Sequence, residues 1–294
     1  MATVADVADP SLYPTPLPES ARRIELRTAG GPLAALEIMP PAGVETRGTA
    51  VLVPGFSGSK EDFLPMLEPL AAEGYRVVSY DQRGQFQSPG PTRWREYDVA
   101  TFAAELAEVI AAVDPAPVHL LGHSFGGIVA QRAVADAPSS VRSLTLLGTG
   151  PGNTDFAGAR MVGPLVWILR IGGTSLLWKL MRGQLRKAGL AHGSQVWLKH
   201  RLVHTHKANL IGIIRAMLGE PSRVAALAQT DVRFLVMCGE NDQPWTPATQ
   251  AKMARNLNAR YVVIADAGHT PNEERPEETA RALADFWISV DVES

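Results

Sequence analysis

Six short runs of apolar, largely β-branched residues recur along this chain: Thr49 to Val53, Tyr75 to Tyr80, Val118 to Leu121, Val141 to Leu147, Arg233 to Cys238 and Tyr261 to Ile264. None shows the polar alternation of a strand with one wet face, so each suits a strand covered on both sides, as in a parallel sheet flanked by helices. Helical segments separate them. The clearest is Asp98 to Val113, where Val99, Phe102, Ala103, Leu106, Val109, Ile110 and Val113 form one apolar stripe behind a capping Asp98. Ile128 to Ala135, Pro247 to Leu257 and Glu277 to Ile288 read as further helices. Ahead of them, Ile24 to Thr28 and Leu33 to Met39 flank Ala29-Gly30-Gly31-Pro32, the signature of an antiparallel hairpin. The pattern predicts a mostly parallel eight-stranded α/β sheet with helices on both faces.

One stretch breaks the rhythm. Between Thr149 and Glu220 no strand signal recurs, and seventy-odd residues are too many for an ordinary loop. Leu210, Ile213, Ile214, Met217 and Leu218 form an amphipathic helix there, and Leu177, Leu180, Met181 and Leu185 form another with Lys179, Arg182 and Arg186 clustered opposite. The expected organisation is therefore an irregular arm (1–22), an α/β core (23–148 and 221–294) and an inserted helical cap (149–220). A length of 294 residues accommodates one such α/β unit.

Composition excludes several classes. A net charge of −2 offers no global polycation for nucleic acid, and the single cysteine, Cys238, excludes an intrachain disulfide framework and any multi-cysteine metal site. No run of 18 apolar residues occurs, which argues against a membrane-spanning helix. The first twenty residues carry four prolines, no Lys or Arg and no sustained apolar stretch, so a secretory signal is not expected and a cytoplasmic location is.

The chemistry starts at Gly122-His123-Ser124-Phe125-Gly126-Gly127, between a buried strand and a helix. A turn this tight tolerates only glycine two residues either side of the serine, and it lifts the Ser124 hydroxyl above the sheet rim at a helix N-terminus. A serine hydroxyl needs a base. Of seven histidines, His269 follows the last strand in Asp266-Ala267-Gly268-His269-Thr270-Pro271, on the same rim. The orienting carboxylate should come from Gly239-Glu240-Asn241-Asp242, with Asp242 favoured over Glu240 for the freedom of its loop. Backbone N–H groups of Phe125 and Phe56 are the candidate oxyanion donors, the second from the loop Pro54-Gly55-Phe56-Ser57-Gly58-Ser59. His123 reads as structural, with its side chain pointing away from the nucleophile, and Cys238 as a packing residue at a strand end.

These motifs make the chain, from about Arg23 to Val290, resemble the capped, esterase-like members of the α/β-hydrolase fold family. The resemblance implies a Ser124–His269–Asp242 triad that hydrolyses a small-molecule ester through an acyl-enzyme, without cofactor or metal. Serine at 124 sets it apart from the branches that use an aspartate nucleophile. The family's Asp-x-Arg-Gly-x-Gly-x-Ser motif appears here as Asp81-Gln82-Arg83-Gly84-Gln85-Phe86-Gln87-Ser88. Phe86 stands where the family has glycine, which predicts a different loop path and a narrower pocket. The pocket is expected to be lined by Phe86 and by Trp167, Leu177, Met181 and Met217 of the cap. The same triad also serves C–C bond, thioester or lactone hydrolysis and perhydrolysis, and a low-turnover ligand receptor is the reading from another class.

The cap has a charge of its own. Residues 149–220 hold ten Lys and Arg against two acidic residues, along with three of the six tryptophans and four of the seven histidines. A basic, Trp-bearing cap predicts contact with an anionic surface or carrier.

Overall fold

In a computed structural model of the chain, residues 13, 15–152, 162–187 and 192–293 are described. Most of the predicted N-terminal arm (1–12 and Pro14) lies outside them, as do Asp155 and Arg160 of the cap's charge count.

The chain opens with the hairpin β1 (Arg22–Thr28) and β2 (Gly31–Ile38), then runs β3 (Gly48–Val53), α1 (Leu64–Ala72), β4 (Tyr75–Tyr80), α2 (Val99–Val113), β5 (Val118–His123), α3 (Phe125–Asp136) and β6 (Val141–Leu147). Three helices follow, α4 (Val162–Lys187), α5 (His192–His204) and α6 (Lys207–Gly219), and then a short α7 (Val224–Leu227). The chain ends with β7 (Arg233–Gly239), α8 (Pro247–Asn256), β8 (Arg260–Ile264), α9 (Pro271–Glu274) and α10 (Pro276–Glu293). All eight strands form one sheet in the order β1-β2-β4-β3-β5-β6-β7-β8, with β2 antiparallel to both its neighbours and every pair from β4 to β8 parallel. The α/β fold expected from the alternating runs is present, and helices cover both faces.

Two separate apolar layers sandwich the sheet. Phe102, Leu106 and Val109 of α2 and Ile128 and Val129 of α3 pack on one face; Leu67 and Leu70 of α1 and Leu283 and Trp287 of α10 pack on the other. Asp98 caps α2, its carboxylate accepting from the Thr101 N–H at 2.8 Å. The expectation of double-sided burial fails at β8, where Val263 is 43% exposed; β1, in the hairpin, is also largely open. These strands lie at the sheet's two edges.

The order matters for the site because the sheet grows in one direction from β3 to β4 and in the other from β3 to β5. Chain crossings diverge there and leave a crevice at the carboxyl ends of β3 and β5, the switch point where open α/β sheets seat ligands.

At the opposite rim the structure holds a polar cluster with no signal in the sequence. His119 bonds Ser143 Oγ through Nδ1 (2.7 Å) and Asp291 Oδ1 through Nε2 (3.1 Å), while Arg142 and the Tyr75 hydroxyl donate to the same carboxylate at 2.6 and 2.7 Å. It has the connectivity of a Ser-His-Asp relay, but His119 and Ser143 are fully buried, so no substrate can reach them. Its work is to tie α10 to β4, β5 and β6. Burial lowers the His119 pKa and keeps the ring neutral. Burial would raise Asp291, yet its hydrogen bonds from His119, Arg142 and Tyr75 prevail and hold it at about 2. Asp291 is thus depressed relative to its unfolded value of 3.8, so its contribution is complete above about pH 4 and fades as pH falls towards 2. Asp291→Asn is expected to cost about 2 kcal/mol at neutral pH. The gap between wild type and variant in urea denaturation should narrow across that acid window.

Candidate active site

The elbow explains its own glycines. Ser124 sits at φ 52°, ψ −118°, a left-handed conformation that costs a non-glycine residue energy and turns β5 directly into α3. A Cβ on Gly122 would fall 2.5 Å from the Gly126 carbonyl oxygen, and one on Gly126 would fall 2.4 Å from that of Val53. Neither position can carry a side chain while the turn is this tight.

The three side chains singled out from sequence meet. His269 Nε2 lies 3.0 Å from Ser124 Oγ, and His269 Nδ1 lies 3.0 Å from Asp242 Oδ1. Asp242 is buried and accepts a second hydrogen bond from Gln250 Nε2 at 2.9 Å, so both its oxygens are engaged. A buried carboxylate facing Nδ1 accepts the hydrogen bond from that nitrogen and favours the tautomer with the proton there, which leaves Nε2 as the acceptor for the serine proton. Glu240, the other carboxylate on this loop, instead accepts from the Asp266 N–H at 3.2 Å.

Two devices bring the His269 loop in. A Cβ on Gly239 would lie 2.0 Å from the Gly268 carbonyl oxygen, so only glycine at the end of β7 lets that loop pass so close. Glu274 grips it from both sides, accepting from the Gly268 and Thr270 N–H groups at 2.7 and 3.0 Å. His123 does not turn away from this assembly as its place beside the nucleophile suggested. Its Nε2–H donates to the His269 carbonyl at 2.9 Å, and burial, reinforced by the neighbouring His269 ring, pushes its pKa down to about 3. It remains a structural group, a neutral donor that fixes the His269 backbone. Cys238 packs as expected, buried at the end of β7 with Sγ 3.2 Å from the Tyr261 hydroxyl.

The candidate oxyanion amides are positioned indirectly. In a trans peptide the N–H points opposite to the preceding carbonyl. The Gly55 carbonyl accepts from Gln85 Nε2 (2.8 Å) and the Gly58 N–H (3.1 Å), and the Ser124 carbonyl from Thr149 Oγ1 (2.7 Å) and the Gly127 N–H (3.0 Å). With both carbonyls pinned, the N–H groups of Phe56 and Phe125 are held in fixed directions, and Phe125 as the first residue of α3 has no acceptor within its helix. Gln82 Nε2 also holds the Pro54 carbonyl at 2.9 Å. Gln82 and Gln85, missed in the sequence, are thus the supports of the 54–58 loop.

Behind them lies a buried ionic knot. Lys60 Nζ contacts Asp81 at 2.9 Å and Glu61 at 2.8 Å, and Asp81 also accepts from the N–H groups of Lys60 and Gln87. Burial pushes Asp81 up to about 6 against the opposing pull of Lys60. Arg201 of α5 pairs with Asp62, which ties α5 to the segment between β3 and α1.

Ser124 and His269 open into a cavity of about 790 Å³ that residues of α4, α5 and α6 also line. Of the pocket residues expected from sequence, Met181 and Met217 line it. Trp167 does not: it faces solvent on the far side of α4, 63% exposed. Leu177 is packed between α4 and α6, with Leu210 and Ile214. Phe86 lies behind the wall, its ring 5.3 Å edge-on to Trp197, which does face the cavity together with Leu198, Phe56 and Trp245. The helical period identified a buried stripe in the cap but could not say which buried residues border empty space.

Phe86 nonetheless keeps the backbone its position demands. Its φ is 35°, in the region glycine occupies freely, and it is 4% exposed among Trp197, His200 and the Lys60 ammonium. Packing against the cap offsets the strain. Phe86→Ala, which keeps the strain and loses the ring, is expected to cost about 3–5 kcal/mol. Phe86→Gly should cost about 1 kcal/mol less, because it releases the backbone. Urea denaturation of the two variants gives the comparison, and an Ala variant as stable as the Gly variant would contradict it.

Comparison with known proteins agrees with this architecture. A model of the alpha/beta hydrolase family matches residues 50–282. The Bacillus subtilis (strain 168) protein named "Putative 2-succinyl-6-hydroxy-2,4-cyclohexadiene-1-carboxylate synthase" is 24% identical over 260 residues, covering 84% of this chain and 93% of that protein. The "Putative carbamate hydrolase RutD" of Variovorax paradoxus (strain S110) is 37% identical over 101 residues, only 34% of this chain and 38% of that protein. Among solved structures, a thermophilic esterase from Thermogutta terrifontis superposes with a TM-score of 0.76 at 20% identity, covering 92% of this chain and 99% of that one. The chain belongs to the alpha/beta hydrolase family and is a hydrolase of a small-molecule substrate.

Proposed function

We propose that this hydrolase cleaves carboxylic esters with an apolar acyl or alcohol part through an acyl-enzyme on Ser124. The observation that carries the reading is the continuous relay Ser124 Oγ–His269 Nε2 and His269 Nδ1–Asp242 Oδ1, each 3.0 Å, opening into a large cavity walled by Met181, Trp197, Leu198, Met217 and Trp245.

Ser124 Oγ attacks the ester carbonyl carbon as its proton passes to His269 Nε2. The carbonyl electron pair moves onto oxygen, where the N–H groups of Phe56 and Phe125 receive the negative charge, each such donor contributing about 10² to 10³ in rate. Asp242 stabilises the imidazolium and keeps it in line. Collapse of the intermediate breaks the C–O bond, and His269 returns the proton to the departing alcohol. Water then repeats the sequence on the acyl-serine and releases the acid. No cofactor takes part in this cycle.

The lining also includes Glu61, Asp62, Arg201, Glu273 and Glu274, so the apolar acyl or alcohol chain is placed against Met181, Trp197, Leu198, Met217 and Trp245, where a charge would lose hydration. The experiment is a chain-length series of p-nitrophenyl esters, combined with labelling by a fluorophosphonate probe. Expected are stoichiometric labelling at Ser124 and a kcat/KM that rises with acyl length until the cavity is filled. A folded protein that takes up no label would point to a receptor instead. Labelling without ester turnover would move the substrate to a thioester, lactone or C–C bond.

A further inference from the structure

The cap carries a second surface that the reaction does not use. The inner side of α4 is consumed by packing: Val166, Leu169, Leu177 and Trp178 are buried against α5 and α6, and Met181 reaches the cavity. Its outer side is left in solvent with the wrong composition for an ordinary wet face. Before the break at Gly173 (φ 60°, ψ −160°), Trp167 and Ile171 sit one helical turn apart, each 63% exposed, with Arg170 beside them. After it, Leu180 is 53% exposed, and Lys179, Arg182 and Arg186 are exposed as well. The helix has no acidic residue at all, and the whole insertion carries ten basic residues against two acidic ones, while the rest of the chain is net negative.

A tryptophan, an aliphatic and a cation exposed on the segment before Gly173, and an aliphatic and three cations exposed on the segment after it, are the kinds of groups an interfacial helix uses. Its apolar groups enter the acyl boundary and its cations meet lipid phosphates. Spanning is not at issue, because among the described residues no helix is long and apolar enough to cross a membrane. The opposite charge of the core supplies orientation, since an anionic bilayer attracts the cap and repels the remainder. We propose that the outer face of α4 is a docking surface for anionic phospholipid bilayers, placing the cap against the membrane.

The test is cosedimentation of the full chain with sucrose-loaded vesicles of phosphatidylcholine alone, and of phosphatidylcholine mixed with phosphatidylglycerol, at low and high salt. Binding should favour the anionic vesicles and weaken with salt. Each basic residue near an anionic surface is worth about fivefold in affinity, so Lys179→Gln with Arg182→Gln should weaken binding about 25-fold. Trp167→Ser with Ile171→Ser should weaken it at least about tenfold by removing the inserted groups. These side chains are exposed, so both variants should melt within a few degrees of wild type, and that melting is the check on folding. Equal sedimentation with neutral and anionic vesicles would overturn the proposal, as would either double variant binding like wild type. Retention on an immobilised acidic protein with no vesicle binding would overturn it in favour of a protein partner. The readout is independent of hydrolysis, so it succeeds or fails separately from the ester reaction.

Discussion

Ser124→Ala is expected to lower kcat on a p-nitrophenyl ester by about 10⁶, because the relay's members act as a unit and the nucleophile has no substitute. Other hydroxyls on the cavity wall, such as those of Ser57 and Thr270, have no His269 nitrogen set against them; Nε2 is committed to Ser124. What survives the substitution is the binding and polarisation supplied by the cavity and the two amides. His269→Ala should therefore fall to a similar floor, and combining the two should cost little more. Alanine keeps the Cβ and leaves the φ of 52° as it is, so the variant should fold with near-native stability and the loss should be purely kinetic. Single-turnover rates with wild type and variant prepared in parallel provide the measurement, and a loss below tenfold would reject Ser124 as nucleophile.

The second large effect is at Asp242. Asp242→Asn should reduce kcat by about 10⁴, and Gln250 makes the reason specific. In the native site one carboxylate oxygen faces His269 Nδ1 and the other accepts the Gln250 amide hydrogen at 2.9 Å. An asparagine must keep its oxygen towards Gln250, since turning its NH₂ there would oppose two donors. Its NH₂ then faces His269 and forces the ring's proton onto Nε2, where it points at Ser124 and cannot accept the serine proton. Glu240→Gln is the control: that side chain serves the Asp266 N–H, so its effect should stay within about threefold. Equal losses at 240 and 242 would show that the orienting carboxylate had been misassigned.

Much of this molecule could be read before any coordinates. The strand runs were legible because a strand buried on both faces has to be apolar throughout, and the elbow because its geometry admits almost nothing but glycine two residues either side of Ser124. Asp242 and His269 followed from position, since the carboxyl ends of parallel strands all face one rim. The supports of the site left no such trace. Gln82, Gln85, Gln250 and Glu274 act through a few side-chain hydrogen bonds whose partners only the folded structure brings within reach, and any glutamine or glutamate looks the same in sequence. The pocket list failed for a related reason. Trp167 and Leu177 have the apolar character of pocket residues, but helical periodicity gives an angle around an axis, not what lies at the end of it.

The sequence alone determined the sheet, the run of helices after β6 and the candidate serine and histidine, because each rests on a local rule: the period of hydrophobicity, the glycines of a tight turn, the order of groups along the strands. Only the tertiary structure decided which carboxylate meets His269, which apolar side chains border the cavity and which face solvent, and that a second Ser-His-Asp array at the other rim is sealed in the core. Those outcomes depend on distances between segments as far apart as 146 and 172 residues, as in the His123–His269 and His119–Asp291 contacts. Such separations are set by the packing of whole layers, and no window of sequence contains them.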